Sequence, residues 1–516
     1  MNGECRMKIQ IFNRLIRHGE SFRAPRSVQE SIPVRKIYRD GVWLCGGRYS
    51  KMWRFQDVNY AVASEADQAE ILMRYCSVIN AWPDDAYVQV LTNNRRIDPV
   101  EFENTMLMHL RGDDMDRLRE EYNQIVRERT EWSNNIFREK YIVISVQRRS
   151  IEEARSFFAR VGTELASGFG RLSSQLTELS SHDRIRILHD FFRSGEEQYF
   201  NFDLSQAMAR GQDFRDYIAP DSFDFRQSRL FRVGQYWGAA SYLQILASEL
   251  SDKLLAEILE LDAELTVTMH VQTVDQLKAI KTVKGKISDI GKMKVEEQRK
   301  AVRAGYDPDI LPPDLITFSK DAAELLADLQ SRNERMFLLT FTVVNLAPTR
   351  QRLENDIFTV GGIAQKYNCA LKRLDWQQEQ GFVSSLALGY NEVEIQRGMT
   401  TSSTAIFIPF MTRELRMAGP SLYYGMNALS HNVIMADRKK LKSANGLYLG
   451  STGSGKSFAA KRELLNVFLT IPQDRSIIVD PMGEYAPLVR RLGGQVIEIA
   501  PDSPHHLNPM DVELNM

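Results

Sequence analysis

Eight residues near the end of the chain have the types and the spacing of a loop that binds phosphate groups. The pattern G-x-x-x-x-G-K-S is filled by Gly450, Ser451, Thr452, Gly453, Ser454, Gly455, Lys456 and Ser457. Glycines let the backbone turn tightly and point successive N–H groups at phosphate oxygens. A lysine at this position reaches the β- and γ-phosphates, and the serine offers its hydroxyl to Mg2+. The sequence therefore predicts a site for a nucleoside triphosphate, with ATP and Mg2+ as the ligands.

The residues on either side of this loop predict the order of strand, loop and helix that such a site needs. Residues 446–450 (GLYLG) are typical of a short apolar strand, and residues 476–480 (SIIVD) of a buried one. Residues 495–499 predict a third strand. Apolar residues recur at helical spacing between the first two strands, at Ala460, Leu464, Val467 and Phe468. Pro472 is expected to end this helix, whose amino end adds its positive dipole to the loop.

Two acidic residues follow the second predicted strand. Asp480 ends it, and Glu484 lies in the turn 480–485. The carboxyl end of such a strand lies beside the nucleotide, so either acid could orient the attacking water or hold the magnesium shell. With Lys456 they are the candidate catalytic residues. The alternative for each is an ordinary cap of the following helix.

Two other patterns predict no site. His505 and His506 are adjacent, so their side chains diverge, and no Cys or His stands nearby at ligand spacing. Gly361 and Gly362 lack the rest of a dinucleotide fingerprint and indicate a turn or a helix interruption. Neither pattern adds a ligand to the magnesium site predicted at Ser457.

The composition favours a soluble globular protein of more than one domain. The chain has 516 residues, of which 43% are hydrophobic and 26% charged. Its formal net charge of −1 gives no long-range field to collect nucleic acid. The four cysteines have no spacing typical of zinc ligands. No apolar run approaches the roughly 18 residues of a membrane span.

The predicted organisation is an α+β region followed by the start of a motor domain. The fold class is thus α/β and α+β, with an N-terminal α+β docking region before a RecA-like P-loop NTPase domain. We place a basic tail at 1–37, the docking region, of one or two subdomains, at 38–400, a junction at 401–425 and the beginning of an incomplete ATPase domain at 426–516. The tail is expected to be solvated, with contact to anionic lipid as the alternative.

Several elements of the docking region can be predicted from their periodicity. A long charged helix is expected over about 99–133. Residues 265–271 alternate as a half-buried strand does, which puts His270 on its polar side. A lysine-rich amphipathic helix follows, and its charged face is expected to be solvated, with contact to a protein partner or to nucleic acid as the alternatives. Cys369 is expected to lie in a helix.

Beyond these patterns, the sequence resembles the large conjugation ATPase of bacterial type IV secretion systems, of the VirB/TrbE/CagE class. The resemblance runs in order through most of the chain, from its middle to its end. The matching stretches are 218–223 (IAPDSF), 329–337 in part, most of 364–389, 400–410 (TTSSTAIFIPF), 422–442 with its Asp437-Arg438-Lys439-Lys440, and 508–510.

That resemblance implies a motor subunit that uses ATP to drive channel assembly or substrate transfer. It implies a homo-oligomer, with a ring expected, that docks onto inner-membrane components of a secretion channel. The place implied is cytoplasmic, peripheral at the inner face of the cell membrane. The motor fold of that family looks like the HerA/FtsK group, in which Lys456, Ser457 and the acids near Asp480 fall at motif positions.

The sequence departs from this family in two respects. Met482 stands where the family often has a glutamate. A second acidic strand end and an arginine for a neighbour's nucleotide cannot be placed before Met516. We therefore expect a truncated frame or fragment that alone hydrolyses ATP poorly or not at all.

Two rival functions stay open. One is a DNA-pumping ring translocase of the HerA/FtsK kind, for which direct DNA contact would be needed. The other is a non-catalytic assembly scaffold in which nucleotide is a structural ligand. DNA-stimulated turnover would favour the pump, and binding without turnover would favour the scaffold.

Overall fold

The computed structural model describes residues 27–504, except 97–98, 132–135, 247–249, 306, 308–311, 332, 416, 418–420, 429, 431, 442 and 472. The described chain divides into two compact units. The first comprises residues up to Asp98 together with Asn135–Arg413, and the second comprises Pro99–Asn134 together with Glu414–Met516. The second unit is therefore built from two separate stretches of chain. No helix in the described ranges is long and apolar enough to cross a membrane.

Strands and helices are interspersed along the chain. The strands are β1 (Val34–Ile37), β2 (Trp43–Cys45), β3 (Arg48–Phe55), β4 (Ala86–Arg96), β5 (Ile136–Val146), β6 (Leu176–Glu178), β7 (Phe223–Asp224), β8 (Phe231–Val233), β9 (Tyr236–Ile245), β10 (Glu264–Thr273), β11 (Met336–Ala347), β12 (Cys369–Arg373), β13 (Arg397–Thr400), β14 (Leu422–Met426) and β15 (Val433–Ala436).

The helices have the following bounds. They are α1 (Glu65–Asn80), α2 (Pro99–Met106), α3 (Asp116–Glu131), α4 (Ile151–Arg171), α5 (Ser181–Phe192), α6 (Leu204–Arg210), α7 (Arg215–Ile218), α8 (Lys253–Leu259), α9 (Gln276–Arg303), α10 (Pro313–Ser331), α11 (Arg350–Lys366), α12 (Gln378–Ser385), α13 (Thr401–Ala405), α14 (Lys456–Thr470) and α15 (Ala486–Arg491).

One antiparallel sheet organises the first unit. It has 13 strands, of which ten follow the order β1-β2-β3-β5-β4-β10-β11-β9-β8-β7. The other three lie outside this order: β6 pairs with β3, β12 with β9 and β13 with β11. The chain is thus a mixed α/β protein with a large antiparallel sheet. A buried cluster of aromatic and branched side chains from β3, β4, β5, β10, β11 and α4 forms its main core.

The central strand β10 differs from the sequence expectation. It was predicted to be half-buried with His270 on a polar side, but it pairs with both β4 and β11 and is buried on both faces. Thr266, Thr268 and His270 are each at most 2% exposed. Alternation of polar and apolar residues indicates which face of a strand carries polar side chains, but not whether that face is exposed. Here other elements cover the polar face of β10 as well.

Buried polar side chains fix the segment 384–389, which lies in one of the stretches that resemble the secretion ATPases. The Nε2–H of His270 donates to the Ser384 carbonyl at 2.7 Å. The amide of Gln89 donates to the Leu386 carbonyl at 2.8 Å, and its oxygen accepts from the Gly389 N–H at 2.7 Å. These contacts satisfy buried backbone groups that would otherwise lack partners, so this stretch is structural.

Three local expectations were wrong. The charged stretch at 99–133 is not one helix but two, α2 and α3, with a break in which Gly112 has φ +76°. Cys369 begins strand β12 and is paired with Ile245 of β9, so it is not helical. Gly361 and Gly362 lie inside α11 without interrupting it. Each added methyl there would meet open space, so these glycines are not needed for a turn.

The second unit contains α2, α3, the β14–β15 hairpin, α14 and α15. The chain changes units after Arg413, so α13, at the start of the expected junction, still belongs to the first unit. Residues 99–134, which the sequence analysis placed in the docking region, instead belong to the same unit as the phosphate loop.

Candidate nucleotide site

The phosphate loop leads directly into helix α14. Gly455 precedes the helix with φ +88°, and Lys456 is its first residue. Gly453 also lies in the left-handed region, with φ +79°. Side-chain-bearing residues rarely adopt this conformation, so the two glycines allow a turn that ends at the amino terminus of a helix. A helix amino end with free N–H groups favours bound anions.

The loop is tightly closed on itself. A Cβ at Gly450 would lie 2.3 Å from the Ser454 Oγ, so a side chain there would collide with the opposite side of the loop. The Ser454 N–H donates to the Ser451 carbonyl at 3.2 Å. The ammonium of Lys456 donates to the same carbonyl at 3.2 Å. The lysine therefore reaches back across the loop opening, where it can meet a phosphate group.

The remaining loop residues are accessible to a ligand. Ser451, Thr452, Gly453, Ser454 and Gly455 are all exposed. Ser457 follows Lys456 in the first turn of α14 and is partly exposed. The donors are thus a glycine-rich backbone, the Lys456 ammonium and the hydroxyls of Ser451, Thr452, Ser454 and Ser457. This set fits a triphosphate with a magnesium ion, because N–H and ammonium donors suit phosphate oxygens, a hydroxyl is an oxygen ligand, and the space beside Gly453 and Gly455 is open.

Asp480 holds the turn that follows the second predicted strand. Its carboxylate accepts from the Met482 N–H at 3.2 Å and from the Tyr485 N–H at 2.7 Å. These backbone donors, Tyr485 first, lower the pKa of Asp480 below its ordinary value. Asp480 thus closes the turn before α15, and it is not the cap of that helix, because the N-cap residue is Tyr485 and no side chain makes a cap hydrogen bond there. Glu484 is exposed, and its carboxylate makes no ion pair with the described residues.

One contact joins this turn to the helix of the phosphate loop. The ammonium of Lys461 lies over the Tyr485 ring, 5.2 Å from its centroid. Lys461 is four residues after Ser457, so the two side chains share one face of α14. The structure therefore brings the turn of Asp480 and Glu484 to the face of the helix that begins at the loop.

The three strands predicted around the loop are not formed as hydrogen-bonded ladders. Residues 446–450, 476–480 and 495–499 belong to neither a helix nor a strand, and they pair with no strand of the described chain. The segment 476–480 was expected to be buried, yet Ile477 is 92% exposed and Val479 is 89% exposed. An apolar strand is buried only when neighbouring strands and a covering layer are present, and the described residues supply neither to these segments.

A polar cluster beside α14 was not predicted from the sequence. The carboxylate of Glu463 accepts from the hydroxyls of Tyr424 and Tyr448 and pairs with Arg438. This contact raises the pKa of Arg438, and burial raises that of the Tyr424 hydroxyl. Arg438 also donates to the Ala444 carbonyl at 2.7 Å, so the cluster ties the approach to the loop onto the helix. In the sequence, only the charged stretch Asp437–Lys440 pointed to this cluster.

Other residues singled out in the sequence lie elsewhere. Met482 is 81% exposed. His505, His506 and the stretch 508–510 fall outside the described residues. Within the described ranges no group of three or more His, Cys, Asp and Glu side chains is placed to hold a metal ion.

The region around the phosphate loop resembles a known protein family. Residues 441–515 match the family model described as helicase HerA, central domain (DUF87). That family consists of P-loop ATPases related to the FtsK group and to secretion motors. No curated protein matches the chain in the corresponding sequence comparison. The match contains the whole phosphate loop, Lys456, Ser457 and both candidate acids, and it is consistent with a P-loop NTPase fold.

Proposed function

We propose that this chain is the ATP-binding motor subunit of a type IV secretion or conjugation machine. The observation that carries the nucleotide part is the loop itself, in which left-handed glycines place Lys456 at the first residue of α14. The match of residues 441–515 to the HerA central domain supports an ATP-driven motor in general. The ordered stretches from 218 to 510 that resemble secretion ATPases favour this particular machine.

The chain's own groups would act on the nucleotide as follows. Backbone N–H groups of the loop bind the phosphate oxygens, and Lys456 neutralises charge on the β- and γ-phosphates. Ser457 would be the protein ligand of Mg2+, which when bound spreads the charge of the phosphates during transfer. Glu484, with a carboxylate unpaired among the described residues, is the better candidate to orient water. Asp480 shapes the turn that presents it.

Assembly and location belong to the same proposal. A ring of identical subunits is expected, because motors of this kind couple nucleotide turnover between neighbours. The unit with the large sheet would dock onto inner-membrane components, which would hold the protein at the cytoplasmic face of the membrane. The absence of a spanning helix in the described chain is compatible with such peripheral attachment.

A DNA-pumping translocase is the second candidate, and one observation favours it. The family model that matches is named for a helicase, so the comparison is at least as consistent with DNA translocation as with secretion. Against it stands the formal net charge of −1, which offers no general attraction to a polyanion. Turnover that rises on addition of duplex DNA and falls with salt would favour the pump.

The nucleotide part can be tested by measuring the binding of a fluorescent ATP analogue with Mg2+. Lys456→Ala removes a charge-assisted contact worth about 1.5–3 kcal/mol, so we expect affinity to fall roughly 10- to 100-fold. Lys292→Ala, which removes a 72% exposed lysine side chain from α9, is the control and should bind as the wild type does.

Two results would overturn the assignment. One is failure of the wild-type chain to bind the analogue at saturating concentration. The other is equal binding by the wild type and Lys456→Ala. Binding without any turnover in an assembled oligomer would instead leave the scaffold as the function.

A further inference from the structure

The helices α2 and α3 form a helical arm at residues 99–131, between strands β4 and β5 in the chain but within the unit of the phosphate loop. Nothing in the sequence patterns indicated this assignment. The residues that attach the arm to helix α14 show what it does there.

Arg119 is the buried anchor of the arm. It is only 3% exposed although it is charged. Its guanidinium pairs with Asp113 and Asp116, each at 2.5 Å, and its Nε–H donates to the Leu469 carbonyl at 3.3 Å. The two carboxylates raise the pKa of Arg119, chiefly through the hydrogen bond to Asp113. A buried cation held by two acids is fixed in direction, so its contact with Leu469 is well defined.

Arg111 makes a second contact at the same end of α14. Its guanidinium donates to the Thr470 carbonyl at 2.8 Å. Leu469 and Thr470 are the last two residues of α14. The last carbonyls of a helix have no partner within the helix and carry its negative dipole end, so cationic donors there are favourable. The arm thus supplies two cations to the carboxyl end of the phosphate-loop helix.

A third attachment connects the arm to the middle of α14. The hydroxyl of Tyr122 on α3 accepts from the Tyr423 N–H at 3.3 Å. Arg462 on α14 donates to the Tyr423 carbonyl at 2.9 Å, and its guanidinium lies 5.6 Å from the Tyr423 ring centroid. Burial raises the pKa of Tyr122 to about 12, which keeps its hydroxyl neutral at ordinary pH. The arm therefore holds α14 at more than one point along its length.

The two ends of α14 are joined by a rigid element. The helix has 15 residues and is about 22 Å long. The dipole effect of a charge fades within one turn, so the arginines do not act on the phosphates through their charge. They act on the position of the helix, and the phosphate loop ends in the first turn of that same helix, at Lys456 and Ser457. Because the helix is rigid, fixing its carboxyl end reduces the conformational entropy that is lost when nucleotide fixes its amino end.

We propose that Arg111 and Arg119 are positioning residues for the nucleotide site, and that nucleotide binding and docking of the helical arm strengthen each other. This inference rests on the proposed nucleotide function and names its regulation. Reciprocity is required by linkage: the factor by which a docked arm raises nucleotide affinity is the factor by which nucleotide stabilises docking.

Hydrogen exchange of the arm tests the proposal in the full chain. A non-hydrolysable ATP analogue with Mg2+ should slow exchange of amides in α3, as well as in the loop. The same addition to Lys456→Ala should change neither region. Slowing confined to the loop would overturn the coupling while leaving nucleotide binding intact. Absence of slowing anywhere, with no binding in a separate assay, would defeat the nucleotide function instead.

Substitution at Arg111 provides the second measurement. Arg111 is exposed, so its removal leaves no buried charge and should not unfold the arm. We expect Arg111→Ala to weaken nucleotide binding about 2- to 5-fold and to abolish nucleotide-dependent slowing in α3. Arg111→Lys keeps a cation that reaches the Thr470 carbonyl and should restore both.

The matched control is Arg117→Ala on the same arm. Arg117 is 86% exposed in its side chain, and its ion pair is with Glu121 of its own helix. This variant should bind nucleotide and show slowing as the wild type does. Equal effects of Arg111→Ala and Arg117→Ala, or no rescue by Arg111→Lys, would show that the contact with α14 plays no positioning role.

Discussion

At the scale of single residues, burial rather than residue type decides the chemistry of His270. Its ring is 1% exposed and faces the Ser384 carbonyl, so burial lowers its pKa from 6.5 to about 4. An alternating sequence indicated a polar environment, because it cannot show that a second layer covers that face. The histidine is a buried core residue that bonds through Nε2 alone, since its Nδ1 has no hydrogen-bond partner among the described residues.

This pKa predicts an acid-sensitive stability. An unfolded chain takes up a proton on His270 near pH 6.5, and the folded chain only near pH 4. The stabilisation is therefore present above pH 6.5 and is lost as pH falls towards 4, by an amount on the order of 3 kcal/mol. His270→Gln keeps a donor for Ser384 and should lose this part of the dependence.

The measurement is urea unfolding of both proteins from pH 4 to pH 8. Glu264, whose pKa burial raises to about 7, changes stability in the opposite sense, since its contribution is lost as pH rises through 7. It is present in both proteins and cancels in their difference. A difference that stays constant with pH would contradict the assignment.

Backbone conformation gives a matched pair of glycines with opposite predictions. A methyl group at Gly455 or at Gly285 would meet nothing within 4 Å. Gly455 has φ +88°, so Gly455→Ala should cost about 1–2 kcal/mol and weaken nucleotide binding. Gly285 lies inside α9, so Gly285→Ala should stabilise by about 0.5–1 kcal/mol. Thermal unfolding measures the change in stability of each variant. A change of the same sign for both would refute the role of φ.

At the scale of elements, helix starts were predictable where a capping residue precedes an amphipathic run. In the sequence Ser150 precedes an amphipathic run, and helix α4 begins at Ile151, with the Ser150 hydroxyl accepting from the Glu153 N–H at 3.3 Å. Ser150→Ala should therefore destabilise the first unit by about 1 kcal/mol.

The control for this cap is a serine in the same helix. Ser156 is exposed and lies in the helix interior, where alanine is the better helix former. Ser156→Ala should be neutral or stabilising by up to roughly 0.5 kcal/mol. Denaturant midpoints of the two variants measure the difference, and equal midpoints would show that the cap contributes nothing.

Other elements could not be predicted because they depend on distant partners. The phosphate loop follows from spacing alone, since all its residues are neighbours in the chain. The strands predicted at 446–450 and 476–480 depend on pairing partners, and the described chain provides none. The contact of Arg119 with Leu469 joins residues separated by 350 positions, and no local pattern reports such a pair.

At the scale of the whole molecule, the helical arm interrupts a hairpin. Strands β4 and β5 pair directly up to Arg96 and Ile136, on either side of the arm. Replacing residues 97–135 with an Asn-Gly turn should therefore preserve the sheet. The second unit would lose the contacts of Arg111, Arg119 and Tyr122, so it should unfold at lower temperature.

Calorimetry of this deletion, with tryptophans of the first unit as a separate probe, measures the two transitions. We expect the transition of the sheet to be unchanged and that of the second unit to fall. Loss of both transitions together would show that the arm belongs to the folding of the sheet as well.

The discontinuity of the second unit also sets an order of events during synthesis. The arm leaves the ribosome long before Glu414 and the helix that it holds. At translation rates of about 5–20 residues per second, the delay is on the order of tens of seconds. During that time the buried face of α3, formed by Arg119, Asn123, Val126 and Thr130, has no partner helix. The nascent arm therefore cannot dock until synthesis has passed Thr470, whose carboxyl-end contact completes its attachment.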